Sequence, residues 1–260
     1  LATGGAGFFI PYYLTRGQPI GASGAIAGAH LGTAGIAHGI LLSELAPGKP
    51  TYRRNLAAGL AVSAAGLWAG VLWADRAGLS PGAADLTCWS GNWGLAMGGG
   101  VAQLAGWIDD DDRQLAAAAC LVGSGVGHLC GLRLARRVPH SSGDVEAAVA
   151  TTVLGAGNAV ALTNLTGTDD ERAYTAAAMA GSAAGALLGE VRFAGLGLST
   201  DQARLALLGA GGGALLGMAA AVLVSPAVER AAPLLVAAGA DGGFWLMQRG
   251  LVARRQPTGA

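Results

Sequence analysis

Few residues in this sequence have side chains suited to chemistry, and most of them lie inside long apolar runs. Asp241 is the one acidic residue near the middle of such a run. A carboxylate within a membrane-spanning segment is typical of an ion or proton site, although it also serves as a hydrogen-bond acceptor between helices. Together with polar residues of other runs, it defines a candidate polar path. That path comprises Asp241, His128, His30, His38 and Asn158.

The three histidines of this path are of a residue type that commonly binds metal ions. His30 and His38 lie eight residues apart, so they share one face of a helix, and His128 lies in a later run. Metal coordination needs three or four converging ligands, and the chain has no His-x-x-x-His or Glu-x-x-His pair. The sequence therefore predicts no metal site, and it favours hydrogen bonds between helices as the role of these side chains.

Phosphate-binding and catalytic motifs are missing from the sequence. The glycine-rich run at 123–127 has no strand before it and lies in the middle of a predicted helix, so it does not match a phosphate loop. The single lysine, Lys49, lacks the upstream glycine and the following Ser or Thr of such a loop. We therefore predict no catalytic residue, no bound cofactor and no enzyme activity.

The composition indicates an apolar environment around much of the chain. Of 260 residues, 45 are glycine, 52% are hydrophobic and 12% are charged, whereas soluble domains carry about 25% charged residues. Sixteen basic and sixteen acidic residues leave no net charge, so the basic patch of a nucleic-acid-binding protein is missing. The abundance of alanine, glycine and arginine is typical of a GC-rich bacterial genome.

Internal repetition is the strongest signal in the sequence. Turns of the same kind recur with a period of about 59 residues, which predicts four tandem helical hairpins in a single domain over 1–260. The repeats fall at about 22–80, 81–141, 142–198 and 199–257. Residues 1–18 are interpreted as the tail of a preceding helix, so we expect the chain to be a piece of a longer protein.

Each repeat is expected to contain two helices. The predicted helices are Ala22–Glu44, Arg53–Asp75, Ala83–Ile108, Asp112–Arg136, Gly143–Leu165, Asp170–Phe193, Thr200–Val224 and Pro226–Leu251. Nearly all charged residues fall in bands between these helices, and a charge-free run of ~20 helical residues spans the ~30 Å of a hydrocarbon layer. A soluble helical array would need a charged stripe along each helix, and a β-barrel would need alternating polarity with many aromatic residues.

Glycines at spacing four recur along the predicted helices, and this pattern predicts glycine-zipper packing. A row without side chains lets another backbone approach closely, which is the main source of helix association in lipid. The predicted helix-packing residues are Gly24, Gly28, Gly32, Gly66, Gly70, Gly94, Gly98, Gly123, Gly127, Gly131, Gly181, Gly185, Gly189, Gly209, Gly213, Gly217, Gly239 and Gly243.

These features predict an all-α, multi-span helical membrane protein of four tandem hairpins packed by glycine zippers. We expect a structural or scaffold role in a membrane complex, with the lipid bilayer and other subunits or domains of that complex as partners. The expected location is a bacterial envelope, and nucleic acid is not an expected partner. Two alternatives remain open. One is a channel or transporter whose polar residues line a path, and the other is a soluble Ala/Gly-rich solenoid that acts as a binding module.

Overall fold

The computed structural model describes residues 20–108, 112–223 and 230–253, and these residues form eight α-helices. They are α1 (Ala22–Leu45), α2 (Tyr52–Arg76), α3 (Pro81–Ala105), α4 (Arg113–Arg137), α5 (Ser142–Leu165), α6 (Glu171–Phe193), α7 (Thr200–Leu223) and α8 (Ala232–Ala253). No strand occurs within these three ranges, so the predicted all-α class is confirmed. The predicted helix at 1–18 and the predicted start at Pro226 lie outside the described residues.

Local sequence signals set the helix ends. The hydroxyls of Thr51, Ser80 and Ser141 each accept a hydrogen bond from a backbone N–H in the first turn of the helix that follows. Such caps satisfy N–H groups that have no partner inside the helix. At its other end, α3 stops at Gly106, which adopts φ 78°, a left-handed conformation that favours glycine. The short turns then reverse the chain direction.

Consecutive helices pair into four hairpins, which confirms the predicted hairpin packing. The pairs are α1 with α2, α3 with α4, α5 with α6, and α7 with α8. The odd-numbered helices also contact one another in sequence, from α1 to α3, α5 and α7. Within the described ranges, extensive contacts between hairpins link only neighbours in the chain. The four hairpins therefore form a row in chain order, and the odd-numbered helices connect one hairpin to the next.

The two helices of each hairpin approach so closely that a side chain would not fit between them. At Gly213, an added Cβ would stand less than 3.0 Å from the backbone of Gly239, and at Gly243 it would meet the backbone of Gly209 in the same way. Each of the 18 predicted helix-packing glycines faces the partner helix of its own hairpin. Gly155 belongs to the same set, because it meets the backbone of Gly181, although it was not predicted.

Five of the eight helices are long and apolar enough to cross a membrane. They are α1, α2, α4, α5 and α7. This is fewer than the eight or so spans expected from the sequence. The other three helices are less apolar because they combine alanine and glycine with polar residues such as Asn92 and Gln103 of α3 and Glu190 of α6.

At the hairpin-turn end of the row, arginines at a regular spacing reach the preceding hairpin. Arg113 Nε lies 3.5 Å from Glu44 Oε2 in the first hairpin. The guanidinium of Arg172 lies beside the turn at Gly106, and the backbone carbonyl of Arg230 accepts a hydrogen bond of 2.9 Å from Asn164 Nδ2. These contacts align the turns of successive hairpins.

At the opposite end, a buried carboxylate joins two of the loops between hairpins. Asp144, 1% exposed, accepts hydrogen bonds from the backbone N–H groups of Leu198 at 2.8 Å, Gly197 at 3.0 Å and Ser141 at 3.1 Å. The hydroxyl of Ser141 donates to the carbonyl of Leu198 at 2.7 Å. Leu198 itself packs with Phe193 and Phe244 in the main cluster of large buried side chains. This junction fixes the third hairpin against the fourth.

The close contact in α7–α8 predicts opposite effects for two neighbouring glycines. Gly213→Ala places a methyl group against the backbone of Gly239, so we expect it to destabilise the protein by about 1–3 kcal/mol. Gly212→Ala is the matched control, because a Cβ there meets nothing within 4 Å, and better helix propensity stabilises α7 by up to ~1 kcal/mol. The measurement is the midpoint of thermal unfolding in a mild detergent. Equal midpoints for the two variants would contradict the close contact.

The junction at Asp144 predicts an unusually large effect for a helix-capping residue. Asp144→Ala leaves three backbone N–H groups without their acceptor, and we expect a loss of about 3 kcal/mol in the free energy of unfolding. Asp170→Ala removes an exposed cap with a single bond to the N–H of Arg172 and is expected to cost ~1 kcal/mol. Denaturant unfolding of the two variants makes the comparison. A smaller loss for Asp144→Ala than for Asp170→Ala would refute the junction.

Candidate functional site

The candidate polar residues lie in three separate contacts between helices. The first joins α5 to α8, where the side-chain amide of Asn158 donates a hydrogen bond of 2.7 Å to Asp241 Oδ2. The two residues line a groove of about 340 Å³ between α5, α6 and α8, and Thr151 and Trp245 also contribute to its walls. Two members of the predicted path are thus brought together. The pair places a carboxylate and an amide against an otherwise apolar groove.

The second contact joins α1 to α4 through a buried serine. His38 Nε2 lies 2.8 Å from the hydroxyl oxygen of Ser124, and His38 Nδ1 lies 2.8 Å from the carbonyl oxygen of Ala34. Because a carbonyl only accepts, Nδ1 carries the proton, and in the neutral ring Nε2 accepts from the Ser124 hydroxyl. His128 Nδ1 lies 2.8 Å from the backbone carbonyl of the same serine. Ser124 therefore connects the two histidines.

His128 has fewer hydrogen bonds than His38, since within the described ranges only one of its two ring nitrogens has a partner. Its Nε2 is buried and has no hydrogen-bond partner among the described residues. The ring occupies the space that a side chain at Gly91 would take on α3. Gly91 therefore makes room for the imidazole ring inside the hairpin. This contact explains why α3 has a glycine outside the four-residue spacing of Gly94 and Gly98.

The third contact joins α1 to α3. His30 Nε2 lies 3.0 Å from Asp85 Oδ1, and both side chains are partly buried. Asp85 was not among the predicted site residues because it belongs to a charged band near a helix start. A sequence signal for it exists. Asp85, Glu146 and Arg204 each lie five residues after the serines that begin successive odd-numbered helices, namely Ser80, Ser141 and Ser199.

The predicted path is thus divided by the fold. His38 and His128 meet at Ser124, Asn158 meets Asp241, and His30 meets Asp85 instead of another member of the path. Over the described residues, no three histidine, cysteine, aspartate or glutamate side chains lie close enough together to hold a metal ion. The arrangement is one of paired hydrogen bonds, which hold neighbouring helices in register.

Two largely apolar grooves, each with at least one carboxylate side chain in its walls, accompany these contacts. The groove at Asp241 lies on the side of α5 that faces α6 and α8, and a second groove of about 410 Å³ lies along the row of odd-numbered helices beside His30 and Asp85. Asn158 and Asp241 of the first groove and His30 of the second were predicted from the sequence, whereas Asp85 and Glu146 of the second were not. Comparison of the chain with known protein families, with curated proteins and with solved structures finds no match.

Proposed function

We propose that this protein is an integral membrane helical-repeat protein with a scaffold role in a membrane complex of a bacterial envelope. The supporting observation is the distribution of side-chain size. Most buried hydrophobic residues are alanine, whereas a large apolar side chain is exposed on every helix. Examples, one from each helix in order, are Ile36, Leu56, Val101, Val122, Val153, Leu187, Leu208 and Leu246.

Water is a poor solvent for such a surface. Val191 is 86% exposed and Leu216 is 74% exposed, and their neighbours on the same faces are apolar as well. Exposed apolar patches of this extent are typical of membrane or protein contacts. A soluble solenoid would instead bury its leucines and present a charged stripe. The observation therefore favours lipid over water as the medium around the row.

Helix length and charge placement support the same proposal. The helices have 22 to 25 residues, which corresponds to about 33–38 Å, enough to cross a hydrocarbon layer of ~30 Å. The ion pair between Arg113 and Glu44 lies at the hairpin turns, and the contact between His140 and Glu190 lies at the opposite end. Charged groups thus concentrate where the headgroups of a bilayer would be.

The scaffold role is inferred from how the helices are used. Most of the close glycine contacts lie within the hairpins, and the even-numbered helices touch few other elements. Broad faces of α2, α4, α6 and α8 therefore remain available to lipid or to other subunits. The polar contacts connect helices, and even the hydroxyl of Ser124, which bonds to His38, is buried between them.

The proposal predicts how the protein behaves during extraction and purification. We expect it to stay in the membrane fraction through high-salt and alkaline carbonate washes and to require detergent for release. In a mild detergent it is expected to migrate in a complex well above its chain mass of 25.5 kDa, with partner subunits in fixed ratio. Release without detergent would refute the membrane location. A homogeneous single chain by native mass spectrometry, from gently solubilised membranes, would refute the scaffold role.

A transport role is the second candidate, and the Asn158–Asp241 pair is the observation that favours it. A carboxylate within a membrane segment costs about 2.5–3.5 kcal/mol to insert, so its presence favours a use in ion or proton movement. If the protein transports ions, liposomes that contain it should show a proton or cation flux. Asp241→Asn should reduce that flux at least tenfold. Asp85→Asn is the matched control because its carboxylate lies in the other groove. Equal flux in wild type, Asp241→Asn and empty liposomes would remove this candidate.

A further inference from the structure

The groove beside His30 is formed by all four odd-numbered helices. It has a volume of about 410 Å³, within the range of small-molecule sites. His30 comes from α1, Asp85 and Trp89 from α3, Glu146 and Val149 from α5, and Leu207 from α7. Because every hairpin contributes, the groove exists only when the whole row is assembled. It shares no ionisable side chain with the groove at Asp241.

One end of this groove is acidic. Asp85 and Glu146 both line it, and both lie five residues after the serine that begins their helix, so they stand at the same level in the row. The side chain of Glu146 is 29% exposed, but its Oε2 atom is buried and accepts no hydrogen bond from any described residue. Arg204 offers a weak counter-charge, since its guanidinium lies 3.9 Å from Glu146 Oε1 and its side chain is 66% exposed. A carboxylate oxygen without a partner is costly and invites a cationic donor.

The other walls of the groove are apolar and aromatic. Val149, Val153 and Leu207 contribute aliphatic surface, and the indole of Trp89 lines the groove one helical turn after Asp85. Trp89 stacks on Trp93, with ring centroids 6.1 Å apart and planes inclined by 10°. The face of an indole attracts an ammonium group, and this attraction is strongest where water is excluded.

We propose that this groove binds a single-chain alkylammonium, with its ammonium head at Asp85 and Glu146 and its hydrocarbon chain along Val149, Val153 and Leu207. The ammonium donates to the unpartnered oxygen of Glu146, and its charge is also attracted by Asp85, which contacts His30. The chain occupies the apolar walls. This inference is independent of the scaffold role, because it depends on the assembled row alone.

Other ligand classes fit this groove less well. A carboxylate or phosphate amphiphile meets two like charges, and for this reason an ethanolamine phospholipid, which carries a phosphate next to its amine, is disfavoured. A neutral alcohol fills the apolar part but does not neutralise the acidic end. A divalent metal ion needs more oxygen ligands than these two carboxylates supply.

The test is a calorimetric titration with octylammonium of the purified protein in phosphatidylcholine nanodiscs. The heat measured with empty nanodiscs is subtracted. Octanol and octanoate serve as neutral and anionic probes of equal chain length, and ethanolamine phospholipid in the nanodisc tests the lipid source. We expect saturable binding of octylammonium at least tenfold tighter than of octanol, and no saturable binding of octanoate. Added ethanolamine phospholipid should leave the octylammonium affinity unchanged, and competition by it would overturn the assignment to a free amine.

Variants make the test specific to this groove. Glu146→Gln should weaken octylammonium binding about tenfold, and Arg204→Gln should strengthen it about threefold because the competing cation is removed. Asp241→Asn is the matched control and should leave the affinity unchanged. Val149→Phe narrows the apolar part of the groove without altering its charge, and we expect it to weaken octylammonium binding about tenfold as well. This variant provides the test if Glu146→Gln does not fold. Octanol binding as tightly as octylammonium, or an equal loss in Asp241→Asn, would overturn the proposal.

Discussion

The close approach of two backbones within each hairpin is the constraint from which the other features follow. Where Gly213 meets Gly239 and Gly94 meets Gly123, no side chain separates the helices. Large residues have little room at these contacts, where the ring of His128 against Gly91 is an exception, and many of them occupy the outer faces of the hairpins. The same sequence feature that lets the helices pair thus produces a surface covered with leucine and valine. The hydrocarbon of a membrane solvates such an apolar surface, whereas water does not. Glycine packing inside the hairpins therefore goes together with a lipid environment outside them.

Contacts between hairpins are of another kind. Polar side chains far apart in the sequence connect them, as in the pairs His30 with Asp85 and His38 with Ser124. In an apolar medium each such bond contributes modestly, about 0.6 kcal/mol on average. The row is therefore held by close packing within hairpins and, between them, by directional hydrogen bonds, the buried Asp144 junction and apolar contacts such as that of Phe193 with Phe244.

The hairpins were predictable from the sequence because their determinants are local. The spacing of Gly181, Gly185 and Gly189, together with charged bands and capping residues, defines each helix and the face it uses. The order of contacts between hairpins was not predictable, because it depends on single polar residues 55 or 86 positions apart. The groove at Asp85 and Glu146 was missed for a related reason. Each residue alone is an ordinary charge near a helix start, and only their shared position in successive repeats brings them together.

The most direct test of the account measures what surrounds the outer face of α7. A spin label on Leu216→Cys, with the three native cysteines replaced by alanine, reports collisions with oxygen, which is concentrated in hydrocarbon, and with a water-soluble nickel complex. A label on Lys49→Cys in the first hairpin turn is the control for water. The account predicts that oxygen dominates at position 216 and the nickel complex at position 49. Dominance of the nickel complex at position 216, in lipid nanodiscs, would contradict it.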